Sequence, residues 1–161
     1  MTDTKTMAAH PFPWRCIKCR EKEVFPLASD YAATMQHDGR PYEIRISDLS
    51  IPTCRKCGER VFTSELDDEI VAALRAQIGL LTPQEIQERR NEHELTEQEL
   101  AEQLGVANET IAQWETGALI QSRAMDNLLR LYFESAEVQA LLRRRFRPGA
   151  AGEQKAAGVI S

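Results

Sequence analysis

The sequence predicts an α+β fold in which a small antiparallel β domain precedes an all-α domain of five helices. Two observations support this prediction. Strand and turn signals over residues 14–63 give way to helical spacing of apolar residues at Ser64, and two Cys-x-x-Cys motifs frame the strand region. The expected organisation is disorder over residues 1–13, a cysteine-framed domain over 14–63, a connecting helix over 64–81, a helical domain over 82–147 and a flexible tail over 148–161.

Residue type and spacing predict the strands of the first domain. The segments EVFPLA, DYAATMQ and RPYEIRIS have strand composition. The pair Asp38–Gly39 lies between the last two segments and favours a hairpin turn, because both residue types tolerate positive φ. We therefore expect a small antiparallel sheet.

Capping signals delimit the predicted helices. In the first helix, apolar residues recur at steps of four between an N-cap at Ser64 and a stop at Gly79. Two Thr-x-x-Glu quartets, which begin at Thr82 and Thr96, have the spacing of capping boxes. The five later helices are predicted from Thr82 to about His93, Thr96 to Leu104, Ala107 to Thr116, Ser122 to Phe133 and Ser135 to Arg145.

The net charge of −5 is distributed unevenly along the 161 residues. Residues 82–134 hold four basic and eleven acidic side chains, a net charge of −7, whereas residues 1–60 carry +2 and residues 135–161 carry +3. A domain that reads nucleic acid is usually basic. The helical domain therefore has an unusual charge for a DNA-binding domain.

Apolar content argues against a membrane protein. No apolar run approaches the roughly 18 residues that a membrane span needs. The N-terminal segment lacks the basic start and the apolar core of a secretory signal. We therefore expect no membrane partner and a cytoplasmic location, where cysteines stay reduced.

The four cysteines are predicted to bind one structural zinc ion. Cys16 with Cys19, and Cys54 with Cys57, have the two-residue spacing that directs both thiolates of a pair at one metal. The gap of 34 residues between the pairs must hold folded strands. Four cysteines close the coordination shell, so the metal is structural and not catalytic. The alternative is two disulfides or four unrelated thiols.

Residues 95–117 are spaced like two short helices around a tight turn. Gly105 is placed to end the first helix in the left-handed conformation, and the second helix buries Ile111 and Trp114. Glu115 is expected to be structural. The candidate DNA-contacting residues are Thr96, Asn108, Glu109, Thr110 and Gln113. Asn and Gln can pair with adenine and Glu can accept from cytosine. The alternative is an all-α core without a specific function.

The segment ELTEQELAEQLGVANETIAQWETG resembles the DNA-binding domain of the Cro/phage-repressor (XRE) family over roughly residues 82–134. Together with CIKC and CRKCGE, residues 14–145 resemble the MqsA family of type II antitoxins, which carry a YgiT-type zinc finger. The sequence departs from well-known members at Glu109, where they carry an amide, and at Gln113, where they carry arginine.

The resemblance implies a protein with two binding functions. Its zinc-stabilised N-terminal domain binds a toxin, usually an RNA-cleaving enzyme, and its C-terminal domain forms a homodimer that represses its own operon at a palindromic operator. We expect the toxin-facing surface within residues 14–63, with Phe25, Tyr31 and Tyr42 as anchors unless they fill the interior. The alternative is a stand-alone regulator with a zinc ribbon and a helix-turn-helix. An enzyme is not expected, because no catalytic triad or dyad is suggested.

Overall fold

The computed structural model describes residues 11–145, which form an antiparallel hairpin followed by six helices. The α+β class is thus confirmed. The expected disorder over residues 1–13 falls mainly outside the described residues, and the expected tail over 148–161 falls wholly outside them. The chain divides into two compact units between Gly79 and Leu80, and each is described by itself.

The first unit contains two strands and one helix, and the second contains five helices. The strands are β1 (Val24–His37) and β2 (Arg40–Cys54). The helices are α1 (Ser64–Ile78), α2 (Pro83–Glu92), α3 (Glu97–Leu104), α4 (Asn108–Thr116), α5 (Arg123–Glu134) and α6 (Ala136–Arg145). The five helices predicted for the second half are therefore confirmed.

The hairpin turns at Asp38 and Gly39, as predicted, with φ angles of 50° and 71°. The segments EVFPLA and DYAATMQ, which carry the first two strand signals, lie in one strand, β1, apart from Glu23. The ladder is irregular between Ser29 and Tyr31, where the register shifts. A bulge of this kind lets a strand bend without ending. The sheet of the described residues consequently has two long strands.

Helix α1 covers one apolar face of the hairpin. Leu66 and Ile70 pack with Leu49 and Ile51 in one buried cluster, against which Tyr31, Met35 and Ile46 also pack. The expected N-cap at Ser64 is wrong by one residue. The Thr63 hydroxyl accepts from the N–H of Leu66 at 3.3 Å, because Thr63 is the residue with extended backbone. Gly79 ends α1 in the left-handed conformation, as predicted.

The second unit has a single apolar core to which all of its helices contribute. The buried members are Leu81, Ile86, Leu100, Ala101, Leu104, Ile111, Trp114, Leu129, Tyr132 and Phe133, and Leu142 of α6 packs against them. A buried carboxylate reinforces this core. Asp126 accepts from the Leu81 N–H at 2.7 Å and from Gln121 Nε2 at 3.1 Å, which attaches the segment before α5 to the start of the unit.

Both predicted capping boxes form. Thr82 with Glu85 starts α2, and Thr96 with Glu99 starts α3. The N–H of Thr96 donates to the Glu99 carboxylate and lowers the pKa of Glu99. Because the folded-state pKa is lowered, this stabilisation is present above the ordinary pKa of about 4.3 and is lost as the pH falls through the lowered value.

Candidate metal centre and nucleic-acid interface

The four cysteines form one cluster. The sulfurs of Cys16 and Cys57 are 3.5 Å apart, those of Cys19 and Cys54 are 3.6 Å apart, and all four lie within 4.8 Å of one another. Thiolates around one zinc ion lie about 3.8 Å apart, because the metal–sulfur bonds are about 2.3 Å long. All four cysteines are free, not disulfide-bonded. The cluster can hold one metal ion, and its donor set is consistent with zinc.

The hairpin explains why two cysteine pairs that are separated by 34 residues in the sequence lie close together in the structure. Val24 at the start of β1 lies opposite Cys54 at the end of β2, so the two motifs flank the open end of the hairpin. Cys16 and Cys54 are buried there with Val24, and Trp14 and Val61 pack against them. The wide gap in the sequence is therefore the length of the hairpin.

The two cysteine motifs have the same backbone geometry. In the first, the N–H of Arg20 donates to the Cys16 carbonyl at 3.0 Å, and in the second the N–H of Gly58 donates to the Cys54 carbonyl at 2.9 Å. Both Arg20 and Gly58 have positive φ, 63° and 75°. Glycine adopts this conformation freely, whereas a residue with a side chain is strained by about 1 kcal/mol.

Two salt bridges join the motifs reciprocally. Lys18 of the first motif lies 3.3 Å from Glu59 of the second, and Lys56 of the second lies 2.7 Å from Glu21 of the first. These pairs are not among the interactions predicted from the sequence. The sequence feature that could have predicted them is the repeated pattern Cys-x-Lys-Cys-x-Glu, which occurs as CIKCRE and CRKCGE. The lysines also place positive charge beside four thiolates, whose total charge exceeds that of one divalent metal.

The surroundings lower the pKa of one thiol in the cluster and raise the pKa of another. The pKa of Cys16 is lowered to about 7, chiefly because the backbone N–H of Cys19 donates to its sulfur. The backbone N–H of Glu21 favours the Cys19 thiolate, yet burial and neighbouring sulfurs prevail and raise the pKa of Cys19 to about 12. Four thiolates this close together require a cation, which is the condition that a metal ion satisfies.

We expect the purified protein to contain one zinc ion per chain, measured by elemental analysis. Cys19→Ser and Cys54→Ser should each lower the bound zinc below half an equivalent and unfold the first unit, because its core at the open end is small. Ser47→Ala, an exposed substitution on β2, should keep the metal. Acidification should release the zinc ion, because protons compete with the metal for the thiolates. Folded protein with less than half an equivalent of zinc, or with disulfides, contradicts this prediction.

Helices α3 and α4 form the predicted helix-turn-helix. Gly105 ends α3 with φ of 74°, and Ile111 and Trp114 of α4 are buried in the core. Asn108, Glu109 and Gln113 are exposed on α4, and Thr110 is half-buried. Thr96 is exposed, but its hydroxyl both accepts from the Glu99 N–H and donates to the Glu99 carboxylate. Thr96 thus acts first as the cap of α3.

A buried ion pair positions α4. Arg90 Nε and a terminal nitrogen donate to the two carboxylate oxygens of Glu115 at 2.6 and 2.8 Å, and Arg90 also donates to the Leu95 carbonyl at 2.7 Å. The Glu115 side chain is 2% exposed, which confirms its expected structural role. Arg90 is not among the residues predicted from the sequence. The sequence feature that could have predicted its burial is its position one turn after the core residue Ile86, on the inward face of α2.

Arginines of the second unit could offset its acidity near DNA, but some of them are engaged within the fold. Arg130 donates to Asp126 at 2.7 Å, so it belongs to the buried network of the second unit. Arg143 donates to Gln103 of α3 at 3.2 Å. Arg144 and Arg145 are exposed at the end of α6, and Arg147 lies outside the described residues. Within residues 80–145, the exposed arginines are Arg123 at the start of α5 and Arg143, Arg144 and Arg145 at the end of α6.

Comparison with known proteins supports the assignment of a helix-turn-helix to the second unit. Residues 86–137 match the helix-turn-helix family model, of the XRE type. The match covers α3, α4 and α5 completely and roughly a third of the chain. No curated protein matches this chain. Within residues 11–145, no helix has both the length and the hydropathy needed to cross a bilayer. The chain thus combines a helix-turn-helix domain with a four-cysteine cluster.

Glu115→Gln should lower the free energy of unfolding of the helical unit by about 3 kcal/mol, because it leaves the buried Arg90 charge without a carboxylate. Urea denaturation followed by circular dichroism measures this loss. The matched substitution Glu88→Gln lies on the exposed surface of α2 and should change stability by less than about 0.5 kcal/mol. Equal losses in the two variants would show that the ion pair does not hold α4 in place.

Proposed function

We propose that this chain is a type II antitoxin, a stoichiometric inhibitor and not an enzyme, which also represses its own operon. The observation that supports it best is the order of its two modules. A four-cysteine cluster closes a hairpin in the first unit, and a helix-turn-helix occupies the second. The first unit binds the cognate toxin, an RNA-cleaving enzyme, while the second binds operator DNA.

The exposed face of α4 has the groups that read base edges. Asn108 and Gln113 carry amides that donate to and accept from adenine, and Glu109 can accept from the cytosine amino group. The N-cap residue of α4 is Ala107, which makes no side-chain capping hydrogen bond. The first N–H groups of the helix are therefore free of side-chain capping and can bind a phosphate oxygen, which fixes the helix in the groove.

Several acidic side chains of the second unit have a role in its fold, although ion pairs with arginine leave the net charge unchanged. Glu85 and Glu99 are held in capping boxes, Glu115 is paired with Arg90, and Asp126 is paired with Arg130. These four carboxylates serve the fold. Among the residues near the expected DNA surface, Glu109 is the fully exposed acid on α4, and it also has a role in reading bases.

Dimerisation is part of the proposal. A domain that binds DNA weakly makes twice as many contacts when its dimer binds two half-sites. Leu131 of α5 and Leu141 of α6 are 55% and 52% exposed, which is a large exposure for leucine on a helix. They provide apolar area for a second copy of the helical unit. A symmetric dimer fits a palindromic operator, since operator symmetry mirrors protein symmetry.

We expect the protein to shift DNA from the region upstream of its own gene in a gel assay. Asn108→Ala and Gln113→Ala should each weaken specific binding by about 1–3 kcal/mol, because each removes one base contact. Gln98→Ala, an exposed change on α3, is the matched control for folding. No specific shift by the wild type, alone or with toxin, would mean that the helix-turn-helix serves protein contact.

The first unit offers two kinds of surface to a toxin. Each hairpin strand pairs with its neighbour along one edge, so the opposite edges of β1 and β2 can accept a strand from a partner. The expected aromatic anchors are partly used inside the unit. Tyr31 packs against the apolar cluster that α1 forms with the hairpin. The guanidinium carbon of Arg55 lies 4.0 Å from the centroid of the Phe25 ring. Strand edges are therefore the favoured contact.

A fragment of residues 1–79 should neutralise the toxin encoded beside this gene, whereas residues 80–161 should not. The fragment must include α1, because α1 covers the apolar cluster of Leu49 and Ile51. Co-expression with the adjacent gene, followed by growth and co-purification assays, measures both activities. Neutralisation by the second fragment alone would reverse the roles assigned to the units.

The alternative is a stand-alone regulator that uses the four-cysteine domain for another purpose. The helix-turn-helix match and the cysteine cluster support it equally. Co-purification with the adjacent gene product separates the two functions. A protein that binds its operator with full affinity and never binds that product is a regulator alone.

A further inference from the structure

A cleft of about 290 Å³ lies in the first unit, lined by other residues than the cysteine cluster. Its walls come from the segment before β1, from β2 and from the first turns of α1. One wall is aromatic, with Phe12 and Trp14, and another is acidic, with Glu65 and Glu69. We name it the aromatic–acidic cleft, and its remaining lining residues are Ser50, Pro52, Thr63 and Leu66.

The aromatic wall is held in place by the hairpin. The N–H of Trp14 donates to the Val24 carbonyl at 3.0 Å, and the N–H of Val24 donates back at 3.2 Å. The ring of Phe12 stacks on that of Trp14 with centroids 4.3 Å apart and planes inclined by 21°. Phe12 nevertheless remains 39% exposed. An exposed aromatic face attracts cations through its quadrupole.

The acidic wall is one turn of α1. Glu65 and Glu69 are four residues apart and therefore lie on the same side of the helix. The backbone N–H of Glu65 and the Thr63 hydroxyl donate to the Glu65 carboxylate and lower its pKa, so this group is ionised at neutral pH. Its charge also suits the helix N-terminus.

Glu69 has no such structural role. It is the sixth residue of α1, beyond the first turn over which the helix dipole acts. Its carboxylate has no hydrogen-bond or ion-pair partner among residues 11–145. The basic residue of α1 is Arg75, in the last turn. The carboxylate of Glu69 is thus an exposed charge beside an aromatic stack, with no cation of its own helix nearby.

We propose that the aromatic–acidic cleft binds a cationic side chain of the protein partner, with arginine favoured over lysine. A guanidinium can stack on Phe12 and at the same time donate to the two carboxylates, whereas an ammonium is a compact charge that cannot stack. The identity of the partner rests on the proposed function. An enzyme that cleaves RNA carries cations that contact phosphates, and one of them seated in this cleft is withheld from RNA.

The cleft is tested first without any partner. The full chain is titrated with acetyl-Gly-Arg-Gly-amide, and Trp14 fluorescence reports binding. We expect saturable binding that weakens about threefold in Glu69→Gln and about threefold in Phe12→Ala. It should also weaken as salt is added. Asp67→Asn removes a charge from the same helix outside the cleft and should bind like the wild type. Zinc content and circular dichroism verify that each variant is folded.

Two results would overturn the proposal. One is equal binding of acetyl-Gly-Glu-Gly-amide, which would mean that the cleft does not select cations. The other is wild-type affinity for the arginine peptide in both Glu69→Gln and Phe12→Ala.

A second measurement separates this proposal from the antitoxin function. The product of the adjacent gene is co-purified with the wild type and with the double variant Phe12→Ala, Glu69→Gln. A complex that weakens about tenfold in the double variant supports the cleft as a contact. An unchanged complex refutes it and leaves the antitoxin function intact. Absence of any complex refutes the antitoxin function, and the peptide titration still decides whether the cleft binds cations.

Discussion

The convergence of four cysteine sulfurs at the open end of one hairpin is the constraint on which the first unit depends. Joining chain segments about 35–40 residues apart removes roughly 4 kcal/mol of conformational entropy from the unfolded chain. The apolar clusters of this unit are small, with Leu49, Ile51, Leu66 and Ile70 forming one of them. A core of this size does not by itself specify where two long strands begin and end. A metal held by the sulfurs would fix those ends, and strand register and metal binding would then depend on each other.

The reciprocal salt bridges extend this constraint to the surface. Lys18 with Glu59, and Lys56 with Glu21, connect the same two motifs that the sulfurs connect. Exposed pairs of this kind contribute little each, between about 0 and 1 kcal/mol. Their position next to the thiolates matters more, because a tetrathiolate site with one divalent ion keeps a negative charge that nearby ammonium groups offset. Repetition of one six-residue pattern thus supplies ligands, turn geometry and charge balance together.

The sequence predicted well what depends on local chemistry. The helices of the second unit were found because Thr, Glu and Gly at their ends make short-range hydrogen bonds, which the capping boxes at Thr82 and Thr96 demonstrate. The pairing of the cysteines followed from ligand spacing. Errors arose where alternatives differ by one residue or one bulge. Thr63 and Ser64 are both good caps, and the irregularity near Tyr31 has no glycine or proline to reveal it.

Features that depend on distant segments were not predictable. The aromatic–acidic cleft brings together residues 12–14, 50–52 and 63–69, and no spacing rule connects them. The Arg90–Glu115 pair joins α2 to α4 across 25 positions. The DNA-contacting roles of Asn108, Glu109 and Gln113 stay predictions, because exposure on α4 is necessary for reading bases but does not demonstrate it.

Charge determines how each unit can recognise a partner. Within residues 80–145 the second unit has few exposed cations. Its affinity for DNA should therefore gain little from counterion release and should come mainly from base contacts and from dimerisation. Its binding should therefore depend on protein concentration and on the exact operator more than on salt. The first unit presents acids on α1 and open strand edges, which suit a basic partner whose approach is assisted by attraction. The four exposed acids of α1, which are Glu65, Asp67, Asp68 and Glu69, provide this attraction in the first unit.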